Sequence, residues 1–235
     1  MELDIETDLS MADAQSLAGL LSRVACAGMD VVDVGCYKGM SSSLLATAAK
    51  QYQGRVFSVD PWEDPQIYET FLSNMRILGF EEVVYPLRKR SVEAAQEVPN
   101  GVLDLVFIDA DHHYERAKED IVAWLPKLRE GGILCGHDCE GHYASLPEDV
   151  KQQIDENLEE AFVPTSDQVI ACAWGEKAYF YRGFHPGVIH ALYDIFKDEY
   201  TRLPGTLWCC VRVDPLLAFN PFNAFATKGG PLGYK

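Results

Sequence analysis

The chain has 235 residues, 48% of them hydrophobic, enough for one sizeable α/β core. Lys and Arg number 20 against 36 Asp and Glu, a net charge of −16, and so acidic a surface repels phosphate backbones and argues against nucleic acid as a partner. The acidic start MELDIETDLSMADAQ lacks the pattern of a signal peptide, no apolar run is long enough to span a bilayer, and seven cysteines suit reduced thiols, so a cytoplasmic protein with no membrane contact is expected.

Residues 10–27 carry Leu17, Leu20, Leu21 and Val24 at helical spacing, and the segment 1–28 reads as an N-terminal helix. Strand and helix patterns then alternate. VVDVG (31–35) precedes a helix over 39–50, and RVFSVD (55–60) precedes a helix from Ile67 to Leu78. VVYPL (83–87) precedes a helix over 91–98 with Ser91 as its cap, and VLDLVFID (102–109) precedes a helix over 115–128. GGILCGHD (131–138) is a fifth strand. Strands this apolar belong to a parallel sheet covered on both faces. The expected fold is therefore α/β, a doubly wound, mostly parallel, Rossmann-like sheet.

After Asp138 the rhythm breaks. An insertion over 141–184 holds one polar helix and a hairpin (169–182) turning at Gly175, and its aromatics serve either as a lid or as its own core. A helix over 185–200 and a last, antiparallel strand over 206–214 follow. The tail, 215–235, is rich in Pro and aromatics and reads as a wrapped arm or a contact for a second copy, a homodimer. No linker divides the chain, so 1–235 reads as one domain.

Ligands of such sheets bind at the carboxyl ends of the strands. Gly35 allows a sharp turn after the first strand, Gly39 lets the next helix begin close by, and Ser41 and Ser42 add hydroxyls there. The turn lacks the middle glycine of a dinucleotide fingerprint, which disfavours a dehydrogenase, and its D-x-G-x-x-x-G form (Asp33, Gly35, Gly39) suits a nucleoside carrying an amino acid. Asp60, 25 residues after Gly35, is placed to accept both ribose hydroxyls, with Pro61 beside it and Trp62 able to pack on adenine. Ser91 lies at the adenine edge. Asp109-Ala110-Asp111-His112-His113 crowds two acids and two histidines after a buried strand, with Asp111 placed to orient His112. A zinc site at Cys135 and Cys139 with His137 and His142 lacks a second cysteine pair.

VVDVGCYKGMSS, FSVDPW and VFIDADHHYERAKEDIVAWLPKLREGGILCGHD, in that order over about 30–138, resemble the class I S-adenosylmethionine-dependent methyltransferases. The last segment resembles the metal-dependent small-molecule O-methyltransferase branch, which includes the macrolide-sugar and catechol enzymes. The resemblance implies that Gly35, Cys36, Tyr37 and Gly39 line the methionine end of S-adenosylmethionine, that Asp60 holds its ribose and that Ser91 sits by its adenine. It implies Asp109 as first ligand of a divalent metal, His137 and Asp138 as the other ligands, and His112 as general base; magnesium, which prefers oxygen ligands and keeps several waters, is the expected ion because Asp109 and Asp138 can suffice for it. His137 departs from the carboxylate or amide usual there. Such chemistry suits a small hydroxylated acceptor, because a hard cation lowers a hydroxyl's pKa and a neutral histidine can take its proton. Two alternatives stand beside it: non-heme iron at His137, Asp138 and His142, and a cofactor-binding protein without catalysis.

Overall fold

The computed structural model describes residues 3–165, 170–174, 177–197 and 199–212. The elements run α1 (Met11–Val24), β1 (Asp30–Val34), α2 (Met40–Gln51), β2 (Arg55–Asp60), α3 (Pro65–Ile77), β3 (Val84–Arg88), α4 (Ser91–Glu97), β4 (Leu103–Ile108), α5 (Tyr114–Trp124) and β5 (Leu128–Gly136). They continue with α6 (Glu148–Glu156), β6 (Val163–Pro164), β7 (Ile170–Trp174), β8 (Lys177–Tyr181), β9 (Gly183–Phe184), α7 (Pro186–Phe196), β10 (Thr201–Arg202) and β11 (Trp208–Val211).

Seven strands form one sheet in the order β10-β11-β5-β4-β1-β2-β3. The β1–β5 pairings are parallel, and β11 runs antiparallel beside β5, as the sequence suggests. Alternation along each strand feeds two cores. Val31, Leu105 and Phe107 pack with α1, α2 and α3 on one face, while Val32, Val34, Val106 and Ile108 pack with α4, α5, α6 and α7 on the other. The chain steps from β1 to β2 in one direction and later to β4 in the other, so the switch point lies between β1 and β4.

Most strand and helix ends differ from the sequence reading by one to four residues. Of the 1–28 segment only Met11–Val24 is helical. Its start is fixed by Ser10, whose Oγ accepts from Asp13 N at 3.2 Å while Asp13 Oδ2 accepts from Ser10 N at 2.9 Å. Ser91 is not the cap of α4. Arg90 holds that position without a side-chain bond, and the Ser91 hydroxyl accepts instead from Trp124 Nε1 at 2.9 Å. The two-residue strands β6, β9 and β10 carry no sequence signal. The hairpin β7–β8 forms as read, but Gly175 and the tail, with the dimer contact expected of it, lie outside the described residues. No helix among the described residues is long and apolar enough to cross a membrane.

Candidate active site

A cavity of about 1040 Å³ opens at the carboxyl ends of β1, β2 and β4. Gly35, Tyr37, Asp60, Pro61, Ser91, Asp109 and His112 line it. The turn at Gly35 has φ +87°, and an added Cβ would stand 1.9 Å from the carbonyl oxygen of Asp109. Close passage of the two strand ends therefore requires glycine.

Four expected cofactor residues, Cys36, Gly39, Ser41 and Trp62, are not among those lining the cavity. Cys36 is buried, and its thiol bonds the carbonyls of Asp33 and Val59 at 3.3 Å. Ser41 Oγ donates to Asp33 Oδ2 at 2.8 Å, and Ser42 Oγ joins it at 2.5 Å, so these hydroxyls tie α2 to β1 rather than face the cavity. Gly39 is backed by Met75 and Phe71. Trp62 is buried against Tyr68 and Phe71, not on the cavity wall, and its Nε1 donates to Tyr37 O at 2.8 Å.

Asp60 organises this loop. Its Oδ2 accepts from Tyr37 N at 3.0 Å and its Oδ1 from Trp62 N at 2.7 Å. Both partners have left-handed backbones, φ 44° and 39°, a conformation that bulky side chains adopt only when held. Burial raises the Asp60 pKa, with backbone bonds from Trp62, Tyr37 and Cys36 opposing it.

Behind the cavity-lining Asp109 and His112, acids and imidazoles converge on Asp138, itself left-handed at φ 61°. His112 Nε2 lies 2.8 Å from Asp138 Oδ2 and 3.6 Å from Asp109 Oδ1. His137 Nδ1 lies 3.0 Å from Asp138 Oδ1 and 3.8 Å from Asp109 Oδ1. Burial disfavours both imidazolium ions, but the carboxylates around them prevail and push His112 up to about 10 and His137 up to about 11. Asp138 moves the opposite way: burial raises it, and bonds from His112 and His137 pull it well below the usual carboxylate range. Asp111 does not orient His112. It accepts from His113, at 3.0 Å from the backbone N and 2.5 Å from Nδ1.

Three residues were hidden from sequence reasoning. His185, at the N-terminus of α7, sets Nδ1 3.5 Å from Asp138 Oδ1 and 2.8 Å from Glu140 Oε1. Glu140 is buried and also accepts from His185 N at 3.1 Å. Asp13, buried in the first turn of α1, faces His137 Nε2 at 3.4 Å and accepts from Thr206 N at 2.8 Å. His142 is not in this group; it stacks on Tyr200 at 4.5 Å. Cys135 and Cys139 are not in it either, since their thiols face the carbonyls of Val106 and Gly141.

Two donor sets each have atoms within 4.8 Å of one another: Asp109, His137 and Asp138, and His112, Asp138 and His185. Carboxylate oxygen with imidazole nitrogen is a donor set that fits a divalent cation.

Residues 32–139, from β1 through the end of β5, match the family model described as a methyltransferase domain. Over that stretch the chain is similar to methyltransferase domains. The chain is 28% identical over 121 residues to an uncharacterised protein, y4gI, of Sinorhizobium fredii, an alignment that spans 47% of this chain and 13% of that protein. The fold is shared with solved structures of O-methyltransferases. An O-methyltransferase of Bacillus cereus, solved with S-adenosylhomocysteine, is 17% identical with a TM-score of 0.57 over 87% of this chain and 83% of its own. TomG of Streptomyces achromogenes, involved in tomaymycin synthesis and solved with S-adenosylmethionine, is 15% identical with a TM-score of 0.58 over 88% and 82%.

Proposed function

We propose that the chain transfers a methyl group from S-adenosylmethionine to a hydroxyl of a small molecule, a sugar or natural product, with a divalent cation held by Asp109, His137 and Asp138. The observation that carries this reading is the convergence of acids and imidazoles beside a cavity that Gly35, Asp109 and His112 line. Solved relatives that hold S-adenosylmethionine or S-adenosylhomocysteine support the cofactor, and the involvement of TomG in tomaymycin synthesis supports the acceptor class. S-adenosylmethionine supplies an already activated methyl, which leaves the protein to orient the acceptor and remove its proton. A divalent cation lowers the pKa of a hydroxyl bound to it. Asp60 keeps lone pairs for ribose hydroxyls beyond its backbone bonds. His112 is placed to take the acceptor's proton at Nε2 and does so in its neutral form; Asp109 and Asp138, which favour its charged form, raise its basicity.

Calorimetric titration of S-adenosylhomocysteine, with magnesium or manganese and with a chelator, tests the reading. Binding that weakens strongly in Asp60→Asn supports it; no binding under any of these conditions refutes it. The set His112, Asp138 and His185 favours a second reading, a two-histidine, one-carboxylate site of the ferrous type in which His112 is a ligand and not a base. Manganese titration of His137→Ala and His185→Ala separates the two. Loss only in His137→Ala supports the first, and loss only in His185→Ala supports the second.

A further inference from the structure

His137 is fixed through its backbone, its N donating to Ile108 O at 3.1 Å and its O accepting from Trp208 Nε1 at 3.2 Å, so the ring is what remains to be oriented. Its Nδ1 faces Asp138 and Asp109, the other two donors of the cation set, and must be bare to join them. The proton of the neutral imidazole then belongs on Nε2. Nε2 is buried and makes no hydrogen bond in this structure. The carboxylate oxygen 3.4 Å from it is Asp13 Oδ2, on α1. An acid in the first turn of a helix ordinarily stands in water, but Asp13 is 3% exposed. Ser10 N at 2.9 Å, Ser10 Oγ at 2.5 Å and Thr206 N at 2.8 Å donate to it, which fills three of the roughly four lone pairs of a carboxylate. The fourth direction leads to His137. Two buried groups, one with a proton to give and one with an acceptor site to fill, thus face each other.

We propose that Asp13 is a positioning residue for the cation site: it accepts the Nε2 proton of His137 and so keeps the ring turned with Nδ1 toward Asp109 and Asp138. This rests on the reading above that His137 is a ligand. Metal-binding imidazoles commonly give their other N–H to a carboxylate, which fixes the tautomer and the ring orientation. Here that carboxylate also belongs to a helix cap. Asp13 Oδ2 closes the capping box with Ser10, and Oδ1 holds Thr206 N. Thr206 Oγ1 in turn accepts from Asp138 N at 3.3 Å. The start of α1 therefore reaches two of the three donors, His137 at its ring and Asp138 through Thr206.

The test is manganese titration by calorimetry. Asp13→Ala weakens binding about tenfold or more, the usual effect of removing a carboxylate behind a metal-binding histidine. Ser10→Ala removes the cap hydroxyl of the same helix and leaves the carboxylate facing His137, so its manganese affinity stays within about twofold of wild type while its stability falls. Undiminished binding in a folded Asp13→Ala, or an equal loss in Ser10→Ala, overturns the proposal. Should Asp13→Ala not fold, nitrogen NMR of the zinc-loaded wild-type chain reads the ring directly. A proton on Nε2 of His137 supports the proposal, and a proton on Nδ1 overturns it. His137→Ala keeps this proposal apart from the reading beneath it. A wild-type chain that binds no manganese, or binding that survives both His137→Ala and Asp13→Ala, removes the ligand role of His137 and the assignment of Asp13 with it. Binding lost in His137→Ala but kept in Asp13→Ala removes the assignment alone.

Discussion

Replacing Gly35 with alanine sets a methyl carbon 1.9 Å from the Asp109 carbonyl oxygen and 2.7 Å from Ala110 Cα. Both neighbours are backbone, so no side chain can swing away, and β1 and β4 must part. The left-handed φ of +87° adds about 1–2 kcal/mol for any L side chain, and overpacking adds about 1–3 kcal/mol. The sum, about 2–5 kcal/mol, is a large share of the roughly 5–15 kcal/mol that holds a typical domain. Gly101 provides the control. Its φ is +77°, but nothing lies within 4 Å of an added Cβ, so Gly101→Ala loses only the conformational part, about 1–2 kcal/mol. Urea denaturation gives both values, and calorimetry with S-adenosylhomocysteine gives the effect on the cavity. Gly35→Ala should be the less stable of the two and, where folded, should bind weakly because Asp109 has moved. Equal stabilities for the two variants, with ligand binding retained in Gly35→Ala, would refute the close-approach argument.

Asp33 gives a pH signature. Burial, against bonds from Ser42 and Ser41, raises its pKa from 3.8 to about 7. A raised pKa contributes stability that is complete below the unfolded value and is lost as pH climbs through the folded one. The stability gap between wild type and Asp33→Asn should therefore shift by about 3 kcal/mol in favour of the variant from pH 5 to pH 8, as read by denaturation at both pH values. Manganese binding should release protons and strengthen with pH, because His137, pushed up to about 11, must lose its proton to ligate. Calorimetry in buffers of different ionisation enthalpy counts those protons, and a count of zero contradicts the ligand role. Trp62→Phe removes the indole bond to Tyr37 O and should lower stability by about 1–2 kcal/mol, as read from the urea midpoint.

The β–α alternation was legible because VVDV and LDLVFI are apolar on both strand faces, which only a sheet buried on both sides explains. Asp60, Asp109, His112 and Asp138 were legible because strand ends in this topology face the ligand crevice. What failed was direction. Cys36 and Trp62 lie in the right loops, yet their side chains turn away, where Tyr37 and Trp62 take left-handed backbones that no sequence pattern announces, and Ser41, in the first turn of α2, turns to Asp33. Asp13, Glu140 and His185 were missed for a different reason. They reach the site through long-range contacts, from a helix cap and from the flanks of an aperiodic insertion.

The pairing of Glu140 with His185 joins residues on either side of the segment 141–184. Arg202 reinforces this junction by donating to Cys139 O at 2.7 Å, and Tyr181 bonds Gly205 O from within the segment. Both ends of the segment are thus tied, and between them α6 is locked into the core through Val150 and Ile154. Asp138 follows β5 directly, so the knot formed by Glu140 and His185 also clamps the residue on which the acids and imidazoles converge. The segment works as a keystone of the wall and not as an appendage to it.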